Sequence, residues 1–160
     1  MFDIHALRAD EISAAADLSL SVFGHEAWKE KDLREALDGG HARIYAAVAS
    51  DEQGTAASET ALSTGTLAGY AVFYSAADEG ELNSIAVDAH FRRSGAATAL
   101  LETAVAELMA AGVLKLFLEV REHNAGAIAF YEKQGFLAAG VRKRFYDEPE
   151  EDAIVMVKVL

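Results

Sequence analysis

Between Glu81 and Met109 the chain changes its hydrophobic period once, across a junction made of arginines and very small side chains. ELNSIAVD (Glu81–Asp88) reads as a strand. Beyond His90-Phe91-Arg92-Arg93-Ser94-Gly95-Ala96-Ala97, residues Leu100, Leu101, Ala104, Val105, Leu108 and Met109 mark one face of a helix. Gly95 gives access to backbone angles closed to other residues, and Ala96 and Ala97 leave the neighbouring amides uncovered. The first amides of a helix have no partner inside it. With the helix dipole they make a site for an anion and suit a pyrophosphate; Arg92 and Arg93 add charge. The same residues also fit a tight turn with two solvated arginines. The segment is not a P-loop, since no Gly-Lys-Ser/Thr follows. Nor is it a dinucleotide-binding turn, which requires Gly-x-Gly-x-x-Gly.

The elements around this junction predict an α/β chain. Phe2–Arg8, Arg43–Ala49 and Leu67–Ala76 read as strands before it, and their short connections imply antiparallel pairing. Asp10 is the expected N-cap of a first helix with Ile12, Ala16, Leu20 and Phe23 on its apolar face. Glu30–Leu37 predicts a short second helix, ended by Gly39-Gly40. Ser50–Ser63 is expected as a loop or ragged hairpin tip. After the junction come a buried strand at Lys115–Arg121, a helix from Asn124 to about Gln134, and closing strands in LAAGVRKRFY and DAIVMVKVL. The acidic loop Asp147–Asp152 lies between the last two. A length of 160 residues fits one domain, 1–160.

Two residues carry chemistry worth singling out. Glu119 places a carboxylate in the apolar strand KLFLEVR, with Leu116, Leu118 and Val120 on the opposite face. It reads either as a functional acid or as a strand-end charge paired with Arg121 or Lys115. Tyr131, on the helix after Asn124, reads either as a functional hydroxyl or as a core aromatic. The chain has no cysteine, which excludes thiolate nucleophiles and cysteine-ligated zinc. Its five histidines are scattered without a helical pair, so no metal is expected. The net charge of -12 disfavours nucleic acid and lipid head groups as partners and attracts basic peptides and polyamines. No basic-then-apolar leader follows Met1 and no apolar run spans a bilayer, so a cytoplasmic location is expected.

Taken together, NSIAVDAHFRRSGAATALL and LFLEVREHNAGAIAFYEKQGF resemble the GCN5-related N-acetyltransferase (GNAT) family. The tail RKRFYDEPEEDAIVMVK is similar to the subgroup that acetylates the N-terminal alanine of a small-subunit ribosomal protein. The likeness runs from Glu81 to Val157, and the first 80 residues match in outline. It implies an α/β (α+β) fold: a mixed, mostly antiparallel sheet of about six to seven strands, flanking helices, and two central strands splayed around a thioester. It implies acetyl-CoA as co-substrate, its pyrophosphate held at Arg92, Arg93, Ser94, Gly95, Ala96, Ala97 and Thr98. Ile85, Ala86 and Val87 would bracket the pantetheine and acetyl carbonyl, and Asn124 would contact the cofactor. Glu119 would be the general base, Tyr131 the acid for the leaving sulfur, with direct attack in a ternary complex. The implied acceptor is a basic protein N-terminus, that of a ribosomal protein. A small amine as acceptor, or an acetyl-CoA-binding module without turnover, are the alternatives. Two departures stand out. Asp88-Ala89-His90-Phe91 replaces the frequent Asp-Pro-x-Tyr, predicting a less rigid turn. Glu26-Ala27-Trp28 lacks the proline common in the first helical region.

Overall fold

The structure is a computed structural model that describes residues 2–50, 61–62 and 65–160. Among these, eight strands form one sheet: β1 (Phe2–Ala6), β2 (Ala42–Ala49), β3 (Ala61–Leu62), β4 (Gly65–Ala76), β5 (Glu79–Val87), β6 (Lys115–Arg121), β7 (Leu137–Tyr146) and β8 (Glu151–Val159). Their order is β1-β2-β4-β5-β6-β8-β7, with β3 beside β4. Only β5 and β6 pair in parallel; every other pair is antiparallel. The mixed sheet is therefore as expected. Of the Ser50–Ser63 loop, residues 51–60 and 63 lie outside the described part, and Ala61–Leu62 pairs with Thr66 and Gly65.

Four helices cover the sheet: α1 (Ile12–Phe23), α2 (Glu30–Gly39), α3 (Ala96–Ala110) and α4 (Ala125–Lys133). α1 and α2 seal one face through Ile12, Leu18 and Leu33 against Ile44, Leu67, Tyr70, Val72 and Ala86. α3 and α4 seal the other through Leu100, Leu101, Leu108 and Tyr131 against Phe73, Leu82, Leu116, Leu118 and Met156. Among the described residues no helix is long and apolar enough to cross a membrane.

Three local expectations need correction. Asp10 is not the cap of α1. A 3-10 turn at Ala9–Glu11 intervenes, and the Glu11 carboxylate accepts the Arg8 amide at 2.9 Å. A glutamate three residues on can reach back to an orphan amide, and His5 Nε2 at 2.9 Å satisfies its buried charge. Leu20 is 62% exposed. Steps of four drift about 40° each around a 3.6-residue helix, so the Ile12–Ala16–Leu20 series turns out of the interface. Met109 is 52% exposed for a similar reason, one residue off the stripe that ends at Leu108.

Candidate active site

The parallel seam between β5 and β6 is short. It pairs Glu79 with Lys115, Gly80 with Leu116 and Glu81 with Phe117, and then stops. Both strands run on, β5 to Val87 and β6 to Arg121, no longer paired with each other. The cause lies in β5. Leu82 pairs with Phe73 but Ser84 pairs with Val72, so Asn83 is an extra, bulged residue. A bulge bends its strand and strengthens its twist, and the split opens one residue before it. Ile85 and Val87 project to the α3 side. Ala86 is buried in the core under α1, which leaves only its backbone for any ligand.

The split leads into the arginine junction. A 3-10 turn at Ala89–Phe91 follows β5. It lacks a proline, yet the Asp88 carboxylate accepts from the His90 amide at 2.9 Å and lies 2.8 Å from its ring Nδ1. A side chain thus supplies the constraint the missing ring would have given. Arg93 and Gly95 both have positive φ, 61° and 91°. Ser94 Oγ donates to the Phe91 carbonyl, tightening the loop. The first intrahelical bond of α3 runs from the Ala99 amide to Gly95 at 2.9 Å, leaving Ala96, Ala97 and Thr98 as the helix's orphan donors. Arg92 and Arg93 are exposed and form no ion pair among the described residues. Two unneutralised cations beside free amides have the chemistry that suits an anion.

Glu119 stands on β6 at the open end of the seam. Its strand alternates as expected: Leu116, Leu118 and Val120 are buried and Glu119 keeps a side chain 18% exposed. Its ion partner is neither Lys115 nor Arg121 but Arg142 on β7, at 3.3 Å. Burial, and then the charge of Glu81, push its carboxyl above the ordinary range; the Arg142 charge opposes them. A carboxylate raised in this way takes a proton more readily, which is what a base requires.

Tyr131 is almost wholly buried on α4, edge-on to Phe130 and Phe136 at 5.4 and 5.6 Å. Burial first, and then Tyr146, push its hydroxyl well above the usual phenol value, so it stays protonated. α4 is aimed by its ends. Asn124 Oδ1 accepts the Ala127 amide at 3.2 Å, the cap read from the sequence. At the other end Gln134 Nε2 reaches Thr98 Oγ1 at 3.4 Å, which ties α4 to the first turn of α3.

Tyr146, at the end of β7, joins these two residues. Its hydroxyl is pushed up to about 12 by burial and then by the charge of Glu119, and it acts in turn on Tyr131. Arg121 lies over its ring, 4.3 Å from the centroid. The same guanidinium bonds Glu151 at 3.1 Å, the carbonyls of Asp147 and Pro149 at 3.1 and 3.0 Å, and Glu26 at 2.5 Å. It holds the tip of the β7–β8 hairpin against the chain between α1 and α2. Glu151 also accepts the His123 amide at 2.9 Å. Of the acidic loop, then, Glu151 is an internal brace, while Glu148 and Glu150 remain exposed.

A cleft of about 570 Å³ runs from this point under α2, lined by Glu26, Trp28, Asp32, Glu35 and Tyr74 among others. One of its lining residues, Tyr74, pairs with Glu81 across β4 and β5. Among the described residues no group of three or more histidines and carboxylates could hold a metal ion.

Residues 14–136 match the model of the Acetyltransferase (GNAT) family. The [ribosomal protein bS18]-alanine N-acetyltransferase of Escherichia coli is 45% identical over 94 residues, which cover 58% of this chain and 64% of that protein. The match thus spans just under two thirds of the curated relative's length. The crystal structure of the ribosomal-protein-S18-alanine N-acetyltransferase from Escherichia coli superposes with a TM-score of 0.80 at 31% identity, covering 99% of this chain and 94% of that one. Arabidopsis thaliana NAA60, in complex with acetyl-CoA, shares the fold at a TM-score of 0.84 and 16% identity, covering 100% and 99%.

Proposed function

This chain belongs to the GNAT family of acetyltransferases, and from that premise we propose that it moves the acetyl group of acetyl-CoA onto the α-amino group of an N-terminal alanine, that of a small-subunit ribosomal protein. The observation that carries the reading is the split between β5 and β6, with the anion loop at one end and Glu119 and the two tyrosines at the other. The pyrophosphate docks on the amides of Arg93–Thr98 with Arg92 alongside. The pantetheine and acetyl group lie along Ile85, Ala86 and Val87, and Asn124 flanks the cofactor.

An α-amino group has a pKa of about 8, so at neutral pH most of it is protonated. Glu119, with its raised affinity for protons, removes one, directly or through water. The nitrogen attacks the thioester carbonyl, the C–N bond forms, and the C–S bond breaks. Tyr131, held neutral by burial, hydrogen-bonds the departing thiolate and gives it a proton. As the amide forms, the nitrogen sheds its second proton to solvent, and the proton taken up at Glu119 returns to Tyr131 by way of solvent. Atoms and charge balance without a covalent enzyme intermediate, so both substrates are bound together. The acceptor enters from the α1–α2 side along the cleft lined by Trp28, beside the Arg121 bridge that joins Glu26 to the β7–β8 hairpin. The charge of -12 favours a basic acceptor. Newly made ribosomal protein would be met in the cytoplasm.

The test is mass spectrometry of a basic peptide beginning with alanine, incubated with acetyl-CoA and the protein, beside a panel of polyamines. One acetyl on the α-amino nitrogen is the expected product. Acetylated polyamine with untouched peptide would replace this acceptor with a small amine. No acetylation of any amine, with acetyl-CoA bound, would leave a binding module.

A further inference from the structure

Ser19 lies in α1 with no exposed surface, and the reading above assigns it no chemical role. Its hydroxyl is nonetheless fully used as an acceptor. The Trp28 amide donates to Ser19 Oγ at 2.8 Å. The Tyr70 hydroxyl, from β4 beneath, donates to the same oxygen at 2.8 Å. Tyr70 has one proton and has spent it, so its contact with Ser84 Oγ at 3.2 Å is one in which Ser84 donates. The chain Ser84–Tyr70–Ser19–Trp28 thus runs through the core from β5 to the segment between α1 and α2. Its two ends matter. Ser84 immediately precedes Ile85, at the start of the wall assigned to the acetyl group. Trp28 lines the cleft assigned to the acceptor.

We propose that the Ser19 hydroxyl is a positioning residue for the acceptor: it fixes Trp28, and so the shape of the acceptor wall, relative to the strand that carries the acetyl group. The inference rests on the acetyl-transfer reading above. Its physical basis is that a segment without secondary structure of its own must find partners for its amides. Between the turn at Gly24–Glu26 and α2, the Trp28 amide finds its partner in this one buried oxygen. Ser19, Tyr70 and Ser84 are all buried, so the Trp28 amide keeps one placement as long as Ser19 keeps its hydroxyl. Nothing in the chain of bonds touches the anion loop or α4.

Trp28 is the only tryptophan, so its fluorescence reports the wall without reference to any acceptor. Ser19→Ala and Tyr70→Phe are compared with the unaltered protein in three measurements. They are Trp28 emission and its quenching by acrylamide, calorimetric affinity for acetyl-CoA, and KM and kcat for the basic alanine peptide. In Ser19→Ala the emission should shift to the red and quenching should increase. Acetyl-CoA affinity should not change. The peptide KM should rise roughly tenfold while kcat changes little, the pattern of lost acceptor positioning rather than lost chemistry. Tyr70→Phe should move the same readouts in the same direction by less, and the double variant should fall short of the sum. Unchanged Trp28 fluorescence in a folded Ser19→Ala overturns the proposal. So does a parallel loss of acetyl-CoA affinity, which would mean general loosening. Should Ser19→Ala not fold, Tyr70→Phe decides by the same criteria. Should the unaltered protein acetylate no amine, the reading of its function fails, and fluorescence alone decides whether Ser19 sets the wall.

Discussion

Glu119 is set between opposing charges, and that makes its titration adjustable from outside the active site. Burial and Glu81 raise its pKa and Arg142 lowers it. A base works only when ionised, so activity should fall as pH drops through that raised pKa. Glu81→Gln removes a raising influence and should move the acid limb of the kcat/KM profile to lower pH. Arg142→Ala removes the lowering one and should move it to higher pH. A profile indifferent to both would mean that another group is the base. Glu119→Gln itself should depress the rate most near neutrality. The deficit should shrink toward high pH, where the amine, with a pKa of about 8, sheds its own proton. Tyr131→Phe keeps the ring that packs on Phe130 and Phe136 and deletes only the hydroxyl. It should lower kcat by roughly 10²–10⁴ with acetyl-CoA affinity intact, as measured by steady-state kinetics and calorimetry. Glu119 was legible in the sequence because a period of two places it opposite Leu116, Leu118 and Val120. Its partner was not. Which cation faces a strand residue depends on the neighbouring strand, and β7 reaches Glu119 only across β8.

The loop from Arg92 to Thr98 shows the same division one level up. Its place between strand and helix was plain from the change of period. How Gly95 acts there was not. A Cβ added at Gly95 would meet nothing within 4 Å, so space is not the constraint; a φ of 91° is. A valine there has to hold a conformation that costs L-residues about 1–2 kcal/mol, or else reshape the loop. Gly95→Val should therefore lower the melting temperature by a few degrees, on the order of 4 °C per kcal/mol lost, and weaken acetyl-CoA binding in calorimetry. Gly95→Ala, under the same φ, should share most of the deficit. Unchanged affinity in a folded Gly95→Val would move the pyrophosphate elsewhere. The bulge at Asn83 had no such signal. Its two flanking residues, Leu82 and Ser84, are both buried but face opposite sides of the sheet, and only the partner strand reveals that. Helix faces were legible to within one stripe, and failed at Leu20 and Met109, where a drifting series left the interface.

Across the whole molecule the charge of -12 is the property most open to a direct test. If it draws a basic N-terminus to the cleft, KM for the peptide should rise with added salt while kcat stays level. The Debye length falls from about 10 Å at 0.1 M to 3 Å at 1 M. Glu148→Gln with Glu150→Gln should mimic part of that rise at low salt, since these two carboxylates face solvent. Glu151→Gln should instead loosen the hairpin, because its charge is committed to Arg121 and His123. A peptide KM insensitive to salt would remove long-range attraction from the account. The order of the sheet has a consequence in time. β8, made after both of its neighbours, is inserted between β6 and β7. While the chain is being synthesised, β6 lacks its only fully paired neighbour, and the wall that carries Glu119 has nothing to set its position. A growing chain can build the anion loop and its half of the split well before it can build the other half. On the acetyl-transfer reading, then, catalytic competence waits for β8: until that strand is made, a chain on the ribosome holds the anion loop without the neighbour that sets the Glu119 wall.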